Sequence, residues 1–247
     1  VITLISALIP SLDSKKNLEN WKDMLQKLQN TQIPLVLYVE PELIEILNET
    51  FNLSKHIIRP MGMDLLKSGL WLNEDFFYLG HELGINPEEL MVTMIYLRSL
   101  GWLHDESIFN PFGSESFIWI DPTLLDEINP YYIHNERGLS LMEPLLEKMF
   151  ILQKPNDDIS EGISFKLFGG NCSILSTINN AYWNAYSDSL KKGKMPSFSS
   201  IIGGIYLNMP EHFYRYVMQA NDLEGALFEA INKEKVSVET THIKTYE

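Results

Sequence analysis

Val1-Ile2-Thr3-Leu4-Ile5-Ser6-Ala7-Leu8-Ile9, closed by Pro10, and Leu35-Val36-Leu37-Tyr38-Val39, closed by Glu40-Pro41, decide the fold. Both are apolar runs of strand length, and the first reads as a buried strand. Between them comes a loop, Ser11-Leu12-Asp13-Ser14. After it, Leu18, Trp21, Leu25 and Leu28 recur at the spacing of one helical face. Glu42–Asn48 reads as a second helix. Strand, helix, strand, helix in this rhythm predicts an α/β domain with a parallel sheet. The first crossover is expected to be right-handed, which brings the ends of both strands to one sheet edge.

Outward from there, residues 62–109 predict a mainly helical stretch. Asn86-Pro87-Glu88-Glu89 is a helix start, with Asn at the cap, Pro at the first position and acids in the first turn. Leu90, Met94, Leu97 and Gly101 share one side of that helix. A loop over Phe109–Gly113 leads to a strand at Phe117–Ile120, ended by Asp121-Pro122. Leu141–Phe150 reads as a helix and Lys154–Asp158 as a surface loop. Phe165–Phe168 reads as a strand leading into Gly169-Gly170, and Ser176–Lys192 as the helix after it. Ser200–Leu207 and Pro210–Gln219 form further elements, with Phe213, Tyr214 and Tyr216 read as a helix face. The organisation expected is one domain over residues 1–235, with a helical insertion at about 62–109, and a tail or edge strand over 236–247.

Composition narrows the function. The 247 residues carry 19 Lys and Arg against 33 Asp and Glu, a net charge of −14. Phosphate contacts need clustered cations, so a nucleic-acid-binding surface is excluded, though a local pocket for a small phosphorylated ligand is not. With 45% hydrophobic and 11% aromatic residues, the chain has the apolar surface to offset its conformational entropy and fold. The single cysteine, Cys172, rules out an internal disulfide framework and a multi-cysteine zinc site, and suits a reducing compartment. No stretch reaches the roughly 20 apolar residues of a spanning helix.

Asp121 is the most informative polar residue. It ends a buried strand, and ligands in open α/β sheets bind beyond the carboxyl ends of the strands. A carboxylate there can hold a divalent cation that neutralises a diphosphate, or it can cap the turn into Leu124–Ile128. Gly169-Gly170-Asn171 either lets backbone amides approach a ligand or forms an ordinary tight turn. The spacing fits neither a Walker loop nor a dinucleotide fingerprint. The six histidines form no metal-binding pair, and Cys172 has no partner at a spacing that suits a nucleophile.

Several pieces combine into a known pattern. They are Leu37-Tyr38-Val39-Glu40, Gly101-Trp102-Leu103, Asn110-Pro111-Phe112, Phe117-Ile118-Trp119-Ile120-Asp121, Leu167-Phe168-Gly169-Gly170 and Met209-Pro210-Glu211-His212-Phe213-Tyr214. Together they resemble the HtrL/YibB family of bacterial glycan-biosynthesis proteins, themselves similar to GT-A glycosyltransferases. The resemblance implies a GT-A-like, Rossmann-related, mostly parallel sheet flanked by helices. It also implies a sugar-nucleotide-dependent transferase for lipopolysaccharide, capsule or another surface glycan, using Mn²⁺ or Mg²⁺. The implied partners are a nucleotide-sugar donor and a glycan or lipid-linked glycan acceptor. The implied location is cytoplasmic, with the inner face of a membrane as an alternative.

By the same resemblance Asp121 holds the metal–diphosphate, Gly169 and Gly170 lie by the acceptor, and Ala7, Leu8 and Glu40 border the nucleoside; Asn171, after the glycines, is counted with the nucleotide-sugar-binding residues. The chain departs from the pattern at three places. Arg98-Ser99-Leu100 stands where a Lys is expected, and Arg98 is the candidate replacement for its charge. Pro122-Thr123 follows the Asp in place of small residues. Pro196-Ser197-Phe198-Ser199-Ser200 lacks an expected acid, so no catalytic base is named. A non-catalytic glycan- or partner-binding scaffold is the alternative.

Overall fold

The two apolar runs are adjacent parallel strands: β1 (Ile2–Leu8) and β2 (Leu35–Val39) pair from Leu4–Leu35 to Leu8–Val39. They belong to a computed structural model that describes residues 1–9, 24, 26–28, 30–50, 54–70, 73–126, 142–154 and 157–218. β3 (His56–Pro60) adds in parallel to β2, and β4 (Ser116–Ile120) adds in parallel to β1. β5 (Met149–Gln153), β6 (Ile163–Asn171) and β7 (Phe213–Val217) complete a seven-stranded sheet of order β3-β2-β1-β4-β6-β5-β7. β6 is antiparallel to both β4 and β5, while β5 and β7 are parallel. Among the described strands, six therefore share one direction and β6 opposes them.

Both faces are covered, which is why the strands read as unbroken apolar runs. On one face Leu4, Leu8, Leu35, Leu37, Ile118 and Ile120 pack with Met24, Leu28, Leu47 and the stretch around Leu145. Leu47 comes from helix α1 (Ile44–Thr50). The alternate residues, among them Ile5, Ala7, Val36, Tyr38, Phe117 and Trp119, face the larger core. That core is closed by α2 (Met63–Ser68), α3 (Asn73–Glu82), α4 (Pro87–Phe109), α6 (Cys172–Lys191) and α7 (Phe198–Asn208). A single turn, α5 (Ile159–Gly162), precedes β6. The stretch expected to be mainly helical holds α2 to α4, and Asn86 caps α4 as its sequence predicts, accepting from the Glu88 amide at 2.9 Å.

Four local readings change. Residues 51–61 signalled no element, yet they contain the edge strand β3. The helix expected over Leu141–Phe150 is a 3-10 turn, Glu143–Glu147, followed by β5. Leu145, Leu146, Met149 and Phe150 fit a helical stripe on paper, but the last two are in a five-residue strand buried on both faces. The aromatic group Phe213, Tyr214 and Tyr216 is on strand β7, entered through a 3-10 turn at Pro210–His212. Gly169-Gly170 is not a turn after a strand but the end of β6 itself. The helix expected around Leu18 and Trp21 and the tail at 236–247 fall largely or wholly outside the described residues.

Candidate functional site

β2 joins one side of β1 and β4 the other, so the chain order reverses at β1. Such a switch point is where open α/β sheets form a ligand crevice, at the carboxyl ends of the strands. The register shows where the ladders end. β1 stays paired with β2 as far as Leu8–Val39, but its pairing with β4 stops at Ile5–Trp119. The Ile120 carbonyl then accepts from Ser6 Oγ at 2.7 Å. The Asp121 amide turns the other way and donates to the Lys166 carbonyl on β6 at 2.8 Å. The end of β4 thus leaves β1 and follows β6, with Ala7 and Leu8 on one side of the gap and Asp121 on the other. Glu40, directly after β2, is on the same edge.

Asp121 is only 5% exposed. Its Oδ1 accepts from the Thr123 amide at 2.8 Å and from Thr123 Oγ1 at 2.5 Å, and its carbonyl accepts from the Leu124 amide at 2.9 Å. The carboxylate therefore caps the 3-10 turn Pro122–Asp126, so the capping role is filled whatever else the side chain does. Among the described residues no three His, Cys, Asp or Glu side chains converge as a metal cage would require. One carboxylate does fit a hard cation that arrives with a diphosphate, since Mg²⁺ is commonly held by one or two carboxylates plus substrate phosphates and water.

The other expected residues are not gathered here. Asn171, Gly170 and Gly169 pair with Ser116, Phe117 and Ile118, at the amino end of β4. Those partners are three to five residues from Asp121, roughly 10–16 Å at the rise of a strand. A Cβ on Gly169 would lie 2.4 Å from the Phe117 carbonyl oxygen, and one on Gly170 would lie 2.5 Å from Ile174. Asn171 caps α6 by accepting from the Ile174 amide at 2.9 Å. Close packing and capping account for all three. The antiparallel direction of β6 sends its last residues to the far end of the sheet.

Arg98 sits in the seam between α2 and α4. Its Nη1 donates to the Gly69 carbonyl, and its guanidinium carbon is 5.8 Å from the centre of the Trp102 ring. The group lies against Gly69, where a Cβ would come within 2.8 Å of it. Burial pushes its pKa down, while Asp105 opposes that shift. Trp102 in turn stacks between Tyr38 and Trp119, at 4.9 and 5.9 Å. The Asn-Pro-Phe motif also has a structural role. Asn110 ends α4 in the left-handed region (φ 42°), and its side chain bridges the Ser114 amide at 2.6 Å and carbonyl at 2.9 Å. In the loop without the expected acid, Ser197 and Ser200 form the capping box of α7, and Ser199 Oγ donates to the Ile163 carbonyl at 2.5 Å.

One constellation was not anticipated. Glu106 on α4 is 2% exposed and accepts from Tyr38 Oη at 2.8 Å and from Arg59 Nε and Nη2 at 3.0 and 3.2 Å. The bidentate grip raises the Arg59 pKa, and burial followed by the Glu106 charge raises that of Tyr38. An acid one turn beyond Trp102, within the buried side of α4, was the signal available in the sequence.

No family model matches the chain, and no curated protein does. Among solved structures, mouse xyloside xylosyltransferase 1 in its apo form aligns over 87% of this chain and 85% of its own, at 12% identity and a TM-score of 0.46.

Proposed function

We propose that the protein is a nucleotide-sugar-dependent glycosyltransferase whose donor lies in the crevice between β1 and β4. The observation that supports this reading is the placement of Asp121. It is a buried carboxylate at the carboxyl end of β4, across the switch point from Ala7 and Leu8, with Glu40 on the same edge. A diphosphate bound there needs its charge neutralised, and Asp121 would hold Mn²⁺ or Mg²⁺ to supply that neutralisation. Ser6 holds the end of β4 to β1 through the Ile120 carbonyl and the Lys166 carbonyl holds the Asp121 amide to β6, so this chain's own contribution is a strand end fixed from both sides. The acceptor proposed is a glycan or lipid-linked glycan of a surface polysaccharide. Gly169, Gly170 and Asn171 have no part in this site.

The second reading, a glycan- or partner-binding scaffold on the same fold, is favoured by a specific observation. The loop before α7 places serines in a capping box where an acid was expected. A thermal-shift screen with UDP-, GDP-, CMP- and dTDP-sugars, each with and without Mn²⁺, separates the two readings. The transferase reading expects a Mn²⁺-dependent rise in melting temperature with one nucleotide class, together with turnover of that donor. A folded sample that responds to no donor selects the scaffold.

A further inference from the structure

α4 and α6 pack against each other, and three polar side chains in their seam form a chain whose donor and acceptor roles are fixed from one end. The Trp183 indole nitrogen can only donate, so the Asn179 oxygen faces it, at 3.0 Å. That turns the Asn179 amide nitrogen, itself only a donor, toward His104 Nδ1 at 3.2 Å. Nδ1 must therefore accept, which requires a neutral imidazole with its hydrogen on Nε2.

A second group competes for the same atom. Asp105 Oδ1, on the next residue of α4, lies 3.5 Å from Nδ1 and gains an ion pair there only when Nδ1 carries a hydrogen. Such a hydrogen would meet the N–H groups of Asn179. Turning the amide over would relieve His104 but set the amide nitrogen against the Trp183 N–H. One proton on His104 thus breaks the chain whichever way Asn179 turns. Water can deliver that proton, since the histidine side chain is 17% exposed.

The other charges nearby are engaged or remote. On α4, Arg98 is held by the Gly69 carbonyl and acts on Asp105, while Glu106 is clamped by Arg59 and Tyr38. On α6 the charged residues are Asp188 and Lys191, nine and twelve positions past Asn179, roughly 13 Å or more along the axis. Tyr182 and Tyr186 of α6 are kept neutral by burial. β1 and β4 carry no charged residue, and Lys166 of β6 is level with Asp121. The charged helices α2 and α3 meet α4 at Arg98 and Leu90, six and fourteen residues before His104.

We propose that His104 is a proton-operated latch between α4 and α6. Neutral, it is bonded to Asn179 and through it to Trp183. On taking a proton from water it lets go of Asn179 and pairs with Asp105 on its own helix. The latch does not depend on whether the strand ends bind a nucleotide.

The test is an NMR titration of the whole chain from about pH 8.5 to about pH 5, the range in which histidine changes charge. His104→Gln and Trp183→Phe assign the ring signals. At the alkaline end the imidazole should be the Nε2–H tautomer. As it protonates, the Trp183 indole N–H signal should shift with the same midpoint, while the backbone amide signals of the fold persist. Asp105→Asn, at an exposed site, should move that shared midpoint down by about half a pH unit, because the protonated form loses its partner. An Nδ1–H tautomer at the alkaline end would overturn the proposal. So would a Trp183 signal that stays still while His104 titrates, a midpoint unmoved in Asp105→Asn, or a His104 that takes no proton in the range.

Discussion

β4 and β6 are neighbours, yet they end at opposite edges of the sheet, and that contrast separates the chain's two most conspicuous motifs. Asp121 follows β4 into the gap beside β1, where the backbone of one strand departs from the next. Gly169-Gly170-Asn171 closes β6 at the amino end of β4, where the glycines permit backbone contact and Asn171 starts a helix. A polar or glycine-rich segment after an apolar run thus marks a site only when the strand's direction is known. Here the chain follows one strand to the switch point of the sheet and the other to a packing seam.

The sharpest way to break this comparison is to alter the seam. Gly169→Ala forces a Cβ against the Phe117 carbonyl and should cost about 3 kcal/mol, read from urea denaturation. Whatever fraction remains folded should bind nucleotide as before. Loss of binding without loss of stability would return the glycines to the site.

Glu106→Gln should follow, at about 2 kcal/mol, because it removes the charge that both Arg59 and Tyr38 address. The effect should shrink when Arg59→Met is added in a double-mutant cycle. Purely additive losses would mean that the clamp carries no shared energy.

His56 at the start of β3 offers a pH test at the amino end of the sheet. Burial, with Lys55 nearby, holds its pKa below the ordinary value of 6.5. A histidine depressed in the folded state contributes stability that is complete above the unfolded value and lost as pH falls through the folded one. Between about pH 8 and about pH 5, the wild type should lose more stability than His56→Gln. Parallel pH profiles for the two would contradict this.

The smallest expected effect is at Tyr182. Its hydroxyl is buried with no hydrogen-bond partner among the described residues, and burial raises its pKa well above the usual tyrosine value. Tyr182→Phe should therefore be neutral or stabilising by up to about 1 kcal/mol, and clear destabilisation would reveal a bond to that hydroxyl.

Much of this was legible in the residues. β1, β2 and β4 are short apolar runs closed by Pro, Glu-Pro and Asp-Pro, and the cap at Asn86 names the start of α4. β5 was not legible, because Leu145, Leu146, Met149 and Phe150 satisfy a helical period that only tertiary pairing overrules. β3 was hidden because His56-Ile57-Ile58-Arg59-Pro60 has just two strongly apolar residues, as suits an edge strand. At the candidate site, the family resemblance supplied Ala7, Leu8 and Glu40, and Asp121 was singled out by the rule of strand ends. It failed for Gly169-Gly170-Asn171, since no local pattern reports that β6 runs backwards. The Glu106 clamp joins β2, β3 and α4 across separations of 47 and 68 residues, which spacing within one element cannot reveal.

The most direct test is calorimetric titration of a nucleoside diphosphate into the wild type and Asp121→Asn, with and without Mn²⁺. Asn keeps an oxygen for the Thr123 turn and removes only the charge, so both proteins should unfold at similar temperatures. The crevice assignment predicts Mn²⁺-dependent binding to the wild type that weakens at least about tenfold in Asp121→Asn, close to 1.4 kcal/mol. Equal affinity in the two proteins, with or without the metal, would contradict it.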